Sequence, residues 1–242
     1  MQIKTTFNYS PSFNPKKRLK KQIKFIIIHY TGMKKESDSI NRLTDIQSQV
    51  SSHYLIKNNG NIMTLVPDLF IAWHAGRSSW GNFNSLNKDS IGIEISNPGH
   101  QFNYKKFSTK QITSLMKLIK KLKKEYNINS KNIIGHSDIA PDRKKDPGEK
   151  FPWELLGKKK ITLWHNLKKE KLEKFRKTKI DTKMQDLFIK NLYKIGYRKT
   201  KRINRNTNRD FITKAFQRRF RQELINGKID KECLIISKSL AN

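Results

Sequence analysis

Cysteine is almost missing from these 242 residues: Cys233 stands alone, so no intrachain disulfide can form and no thiolate cluster can hold a metal. Long apolar runs are missing too. None approaches the roughly 18 residues of a membrane-spanning helix, and the opening MQIKTTFNYSPSFNPKKRLKKQIKF has cations but no apolar core of the length a secretory signal needs. On this reading export requires another route. Acidic residues are scarce, 20 against 52 Lys and Arg, which leaves a net charge of +32. A charge of that size says little about fold but draws polyanions: nucleic acid, an anionic membrane surface or an anionic wall polymer. A genome biased toward Lys, Asn and Ile accounts for it equally well. Hydrophobic residues make up only 35%, yet they are concentrated enough for a core, and the length suits one large domain or a medium one plus a small one.

Residues 23–30, IKFIIIHY, form a β-branched run too short for a typical helix, which predicts a strand buried on both faces and ending near His29. SSHYLIKNNGNIMTLVP carries two short apolar runs around Asn58-Asn59-Gly60, a hairpin signal. DSIGIEIS is a further strand in which Ile91, Ile93 and Ile95 point one way while Gly92 and Glu94 point the other. From Ser108, a suitable N-cap, residues Ile112, Leu115, Met116, Ile119, Leu122 and Tyr126 recur at helical spacing to near residue 127. NIIGHS returns as a short strand ending at His136. Strands and helices therefore alternate in an α/β arrangement.

Beyond Trp164 the character changes. The charged stretch NLKKEKLEKFRKTKIDTK reads as a linker or exposed helix. After it come MQDLFIKNLYKIGYR, with Leu187, Leu192 and Ile195 before a Gly196 stop, RDFITKAFQRRF, with Ile212, Ala215, Phe216 and Phe220 on one face, and DKECLIISKSL. These predict a bundle of three short helices. The divisions expected are a basic N-terminal extension over 1–22, a main domain over 23–165, a linker over 166–182 and a small helical domain over 183–242.

Of six histidines, His29, His74 and His136 lie at strand ends or beside Gly and Trp, away from the lysine-rich stretches. Strand ends are where α/β proteins gather their sites. A catalytic zinc ion commonly takes three protein ligands and leaves one position for water. His29 and His136 can supply two nitrogens from adjacent strands, and Asp138, Asp142 and Asp146 are candidates for the third ligand. Asp146 makes the best-anchored of these, since it precedes the turn pair Pro147-Gly148 and Phe151-Pro152-Trp153 can fix the far end of the loop.

FIIIHYTG, SSHYLI, WHAG, IGIEI and GHSDIAPDRKKDPGEKFPW, in that order, resemble the zinc-dependent N-acetylmuramoyl-L-alanine amidases of the amidase-2 type, relatives of the peptidoglycan recognition proteins. The likeness covers approximately residues 20–160. It implies a mixed central sheet flanked by helices and a Zn2+ cofactor on His29, His136 and Asp146. It further implies Glu94 as the catalytic acid and base, with Lys144 as an oxyanion-stabilising cation beside Lys145. Trp73 and His74 fall in the substrate groove, while His53, His100 and His165 are taken as structural or surface residues. KIGY followed by AFQRRF resembles a three-helix peptidoglycan-binding domain, although its usual Gly-rich turn is reduced to NGKID.

The implied substrate is peptidoglycan or a muropeptide, cut between N-acetylmuramic acid and L-alanine by a monomeric enzyme with no specific nucleic-acid partner. A helical wall-binding domain points to the cell envelope or periplasm, and the lack of a visible signal points to the cytoplasm. Two rivals remain at this stage: a non-catalytic peptidoglycan-binding protein, and a basic nucleic-acid-binding protein motivated by the +32 charge alone.

Overall fold

The computed structural model describes residues 5–199 and 205–242; residues 1–4 of the N-terminal extension and 200–204 of the C-terminal stretch lie outside the described residues. Among these residues, six strands form the main sheet: β1 (Thr5–Phe7), β2 (Phe25–Tyr30), β3 (Tyr54–Ile56), β4 (Ile62–Thr64), β5 (Ser90–Ile95) and β6 (Ile133–Gly135). Their spatial order is β1-β4-β3-β5-β2-β6. Only β3 and β4 run antiparallel, as the hairpin that Asn58-Asn59-Gly60 closes; every other pairing is parallel. The sheet is therefore mixed.

Eight helices accompany it among the described residues. They are α1 (Glu36–Thr44), α2 (Thr109–Tyr126), α3 (His136–Ile139), α4 (Trp153–Lys158), α5 (Lys169–Glu173), α6 (Thr182–Ile195), α7 (Arg205–Phe220) and α8 (Lys231–Ala241). α2 starts where its sequence supplies a reciprocal cap. The Ser108 hydroxyl accepts the Gln111 N–H at 3.2 Å, and the Gln111 side chain accepts the Ser108 N–H at 3.0 Å. It stops at Asn127, whose left-handed φ of 52° ends the ladder.

β2 divides the molecule. Ile26 and Ile28 join Ile91, Ile93 and Ile95 of β5 and the apolar stripe of α2 in one cluster. Phe25 and Ile27 face the other way, with Ile134 of β6, and there they join Phe188, Leu192, Tyr197, Ile212, Phe216 and Phe220 from the C-terminal helices. That second cluster runs unbroken from sheet to helices. Each aliphatic or Phe side chain fully buried in such a cluster contributes on the order of 1.5–3 kcal/mol.

Several sequence expectations acquire different surroundings. Leu187, read as an inward residue of α6, is exposed, and Phe188 and Ile189 are buried instead. The charged stretch before α6 contains α5, whose Leu172 is buried, and Arg176 nearby makes a bidentate pair with Glu232 at 2.8 Å for both contacts. At the other end, the basic extension supplies edge strand β1, and Arg18 is buried, donating to the carbonyls of Asp68, Asn87 and Lys88.

Candidate metal centre and active site

β2 and β6 are parallel neighbours, so the residues that follow their last ladder positions emerge at the same end of the sheet. His29 lies at the end of β2, and His136 opens α3 directly after β6. The chain then turns back, and the Ser137 N–H donates to the Asp146 carbonyl at 2.8 Å, which brings Asp146 beside His136. The Asp146-Pro147 peptide is cis. Beyond it the Tyr104 hydroxyl donates to the Pro147 carbonyl at 2.6 Å, and Phe151 and Trp153 are buried, so the loop is fixed at both ends.

Three donor atoms converge. His29 Nδ1 and His136 Nδ1 lie 2.9 Å apart, and each lies 3.0 Å from Asp146 Oδ2. The hydrogen bonds behind the rings determine where their protons sit. The Leu86 carbonyl can only accept, so the Ser90 hydroxyl donates to it at 2.6 Å. Ser90 Oγ then accepts from His74 Nε2 at 3.2 Å, which leaves His74 Nδ1 bare to accept from His29 Nε2 at 3.1 Å. His136 Nε2 donates to the Ala75 carbonyl at 3.2 Å. Both imidazoles therefore turn an unprotonated Nδ1 toward the carboxylate. A proton can bridge two of these three lone pairs; a metal cation satisfies all three.

Burial, followed by the charge of His136, pushes His29 down to about 4, and burial with His29 beside it holds His74 well below the ordinary imidazole value. Burial alone would raise Asp146, but His136 and His29 hold its carboxyl well below the usual carboxylate range. The trio is the group of metal-ligating side chains found among the described residues.

Glu94 stands directly across from His29 in the ladder between β2 and β5, on the same face of the sheet. Its Oε2 is buried with no hydrogen-bond partner among the described residues. Burial first, then the Asp146 charge, pushes this carboxyl up to about 8, with Lys144 opposing the shift. An acid of that strength can both take and return a proton near neutral pH. The centre opens into a cavity of about 520 Å³ whose walls include Tyr30, Arg42, Trp73, His100, Lys144 and Lys145.

The structure thus gathers His29, His136, Asp146, Glu94, Lys144, Trp73 and His74 around one space. Lys144 is half-buried and its charge acts on both Glu94 and His29, whereas Lys145 is exposed at the rim. His74, expected at the substrate, also lines this cavity, and it is buried beside His29 with both ring nitrogens bonded inside the protein. Asp138 and Asp142, the other candidates for the third ligand, stand outside the trio. Asp138 bonds the C-terminal helices and Asp142 pairs with Arg77. Sequence reasoning missed Ser90, the Ala75 carbonyl and Asn87, whose side chain accepts from His74 N–H at 3.1 Å and Ala75 N–H at 2.7 Å. Gly92 within a strand was the available signal, because it marks a close approach.

The chain is similar to known proteins along most of its length. Residues 19–149 match the family model described as N-acetylmuramoyl-L-alanine amidase. The chain is 37% identical over 235 residues to the N-acetylmuramoyl-L-alanine amidase AmiD of Escherichia coli strain K12, a match that covers 90% of this chain and 82% of that protein. It is 33% identical over 163 residues to the 1,6-anhydro-N-acetylmuramyl-L-alanine amidase AmpD of Haemophilus influenzae, covering 60% and 86% respectively. Among solved structures, AmiD from E. coli in complex with the substrate anhydro-N-acetylmuramic acid-L-Ala-D-gamma-Glu-L-Lys superposes with a TM-score of 0.79 at 35% identity, covering 90% of this chain and 88% of that one. AmpDh3 from Pseudomonas aeruginosa, in complex with anhydromuramic pentapeptide, gives 0.78 at 30% identity over 94% and 93%.

Proposed function

Because the chain belongs to the N-acetylmuramoyl-L-alanine amidase family, we propose that it is a zinc-dependent hydrolase of peptidoglycan fragments. The bond cut is the amide between the lactyl group of N-acetylmuramic acid, or of its 1,6-anhydro form, and L-alanine of the stem peptide. The observation that carries this reading is the convergence of three unprotonated donors at 2.9–3.0 Å. His29, His136 and Asp146 turn these three atoms toward one point, where a small cation would satisfy them together. Two neutral imidazoles and one carboxylate also match zinc's preference for nitrogen and oxygen, and three ligands leave one position for water.

His29, His136 and Asp146 would hold a zinc ion, which would supply Lewis acidity and make a water acidic enough to lose its proton near neutral pH. Glu94 accepts that proton; its raised affinity suits it to pass the proton on to the departing amine of L-alanine. Lys144 stabilises the negative charge that develops on the carbonyl oxygen. Trp73 packs against the glycan or peptide from the cavity wall, and Arg42, Lys144 and Lys145 suit the carboxylates of a stem peptide. His74 holds the His29 ring in the tautomer that ligation requires. Among the described residues no helix is long and apolar enough to cross a membrane. The helical C-terminal part, with its likeness to wall-binding domains, favours work in the cell envelope on peptidoglycan.

The test is stoichiometric zinc analysis of the purified chain together with release of free stem peptide from muropeptides and from intact sacculi. Zinc near one equivalent with stem-peptide release is the expected result. A folded chain that takes up zinc and releases nothing is instead a binding protein.

A further inference from the structure

The C-terminal helices reach the metal centre through one buried carboxylate. Asp138 is 1% exposed, two residues beyond His136. Its Oδ2 accepts the Gly135 N–H at 2.8 Å and the Arg219 guanidinium at 2.9 Å, and its Oδ1 accepts the Tyr197 hydroxyl at 2.6 Å. Arg219, also 1% exposed, donates a second time to the Ile133 carbonyl at 3.1 Å and lies 4.7 Å over the Trp153 ring. Gly135 and Ile133 belong to β6, the strand that delivers His136. The next residue, Ser137, holds the backbone of Asp146. One turn therefore carries one ligand and secures another, and its shape is set by a carboxylate whose partners come from the segment after α6 and from α7.

The neighbouring arginine reaches the opposite side of the cavity. Arg218 lies 3.9 Å from Glu149, Glu149 meets His100 Nε2 at 3.1 Å, and His100 Nδ1 meets the Tyr30 hydroxyl at 2.8 Å on the cavity wall. Adhesion alone does not call for this arrangement. Apolar side chains already join the two parts in one cluster, and a buried ion pair costs desolvation that well-packed hydrophobic residues avoid. What an ion pair adds is a single permitted geometry, since either partner left alone is a costly buried charge.

We propose that Asp138, held by Arg219 and Tyr197, is a positioning residue for the metal centre, and that the C-terminal helices are thereby part of the catalytic unit and not solely an appended binding module. This rests on the zinc amidase reading above. The full-length chain and three variants are compared by zinc dissociation constant from chelator competition, by kcat and KM on a muropeptide, and by the thermal midpoint of the chelator-treated protein. Tyr197→Phe removes one bond to Asp138, Arg219→Lys removes the forked geometry, and Ser237→Ala removes the 3.1 Å bond from Asn191 that links α6 with α8 and the hydroxyl's own 2.9 Å bond to the Leu234 carbonyl, neither of them at the metal centre. Tyr197→Phe and Arg219→Lys are expected to weaken zinc binding about tenfold and to lower kcat more than they raise KM, at temperatures where both are folded. Ser237→Ala is expected to shift the midpoint alone. Unchanged zinc affinity and kcat in folded Tyr197→Phe overturns the proposal; should Arg219→Lys fail to fold, Tyr197→Phe decides by itself. A parent chain that binds zinc but releases no stem peptide overturns the amidase reading alone, whereas a parent that binds no zinc overturns both.

Discussion

Gly92 faces the His74 ring so closely that a β-carbon at position 92 would lie 2.4 Å from His74 Cγ. No side chain other than hydrogen fits there while the ring keeps its place. Gly92→Ala is therefore expected to displace His74 and break the line of hydrogen bonds from His29 through His74 to Ser90 and Leu86. Because partners behind a ligating histidine typically account for 10–100-fold in metal affinity, zinc binding measured against a chelator should weaken by about tenfold or more. Parental affinity in the alanine variant would show that the chain of bonds does not support the ligand.

Asp146→Ala removes the only anionic donor of the trio and leaves two imidazoles. Zinc content after gel filtration should fall to a small fraction of the parent's, and release of stem peptide should drop by at least about a hundredfold. An alanine variant with full activity contradicts the ligand assignment.

Glu94→Gln separates proton transfer from metal binding. The glutamine variant is expected to retain zinc while kcat falls by about 10²–10⁴, the usual range for loss of a general base. Loss of zinc along with turnover would instead assign Glu94 a structural role.

The same residue makes a pH prediction for the chelator-treated chain. The Glu94 carboxyl, raised from 4.5 to about 8 chiefly by burial and then by Asp146, binds its proton more tightly folded than unfolded. Its contribution to stability is fully present below pH 4.5 and is lost as the pH climbs toward 8. Glu94→Gln has no charge to bury, so in denaturant titrations it should gain on the parent between pH 4.5 and 8, by on the order of 1 kcal/mol or more. A difference that is flat with pH, or that grows on acidification, counts against the raised affinity.

Lys144 and Lys145 differ in placement although the sequence sets them side by side. Lys144→Met should reduce kcat by about 10²-fold, whereas Lys145→Met, at the exposed rim, should change it less than threefold and act mainly through KM. Equal losses from both would indicate a shared electrostatic field rather than a specific contact.

The parts of this fold that were legible in the sequence are those fixed by local chemistry. β2 shows as a β-branched run, α2 as a 3.6-residue stripe with a Ser108 cap and an Asn127 end, and the hairpin as Asn-Gly between two apolar runs. His29 and His136 were recognisable because strand ends in parallel sheets converge. What stayed hidden depended on packing across the chain. Nothing near His74 tells that its ring turns behind His29, since that follows from Ser90 and from the empty space above Gly92. Leu187 and Phe188 are adjacent and both apolar, and only the neighbouring helices decide which of them faces inward. β1, three residues long, leaves too short a pattern to detect. Asp138 could be read as shaping its loop, but its partners Tyr197 and Arg219 lie in a stretch that composition alone sets apart.

The three residues of the candidate metal centre are held in the fold in different ways. His29 is the last member of a buried row that begins with Phe25 and Ile27, on a strand hydrogen-bonded on both sides. Amide hydrogens along that strand are expected to exchange only when the whole molecule opens. His136 and Asp146 lie on a turn and a loop instead, held by the Ser137–Asp146 backbone bond and by the contacts of Asp138. The three side chains are thus tied to the fold by different means, His29 by two neighbouring strands and the other two by fastenings of the loop, among them the Tyr104–Pro147 bond and the buried Phe151 and Trp153.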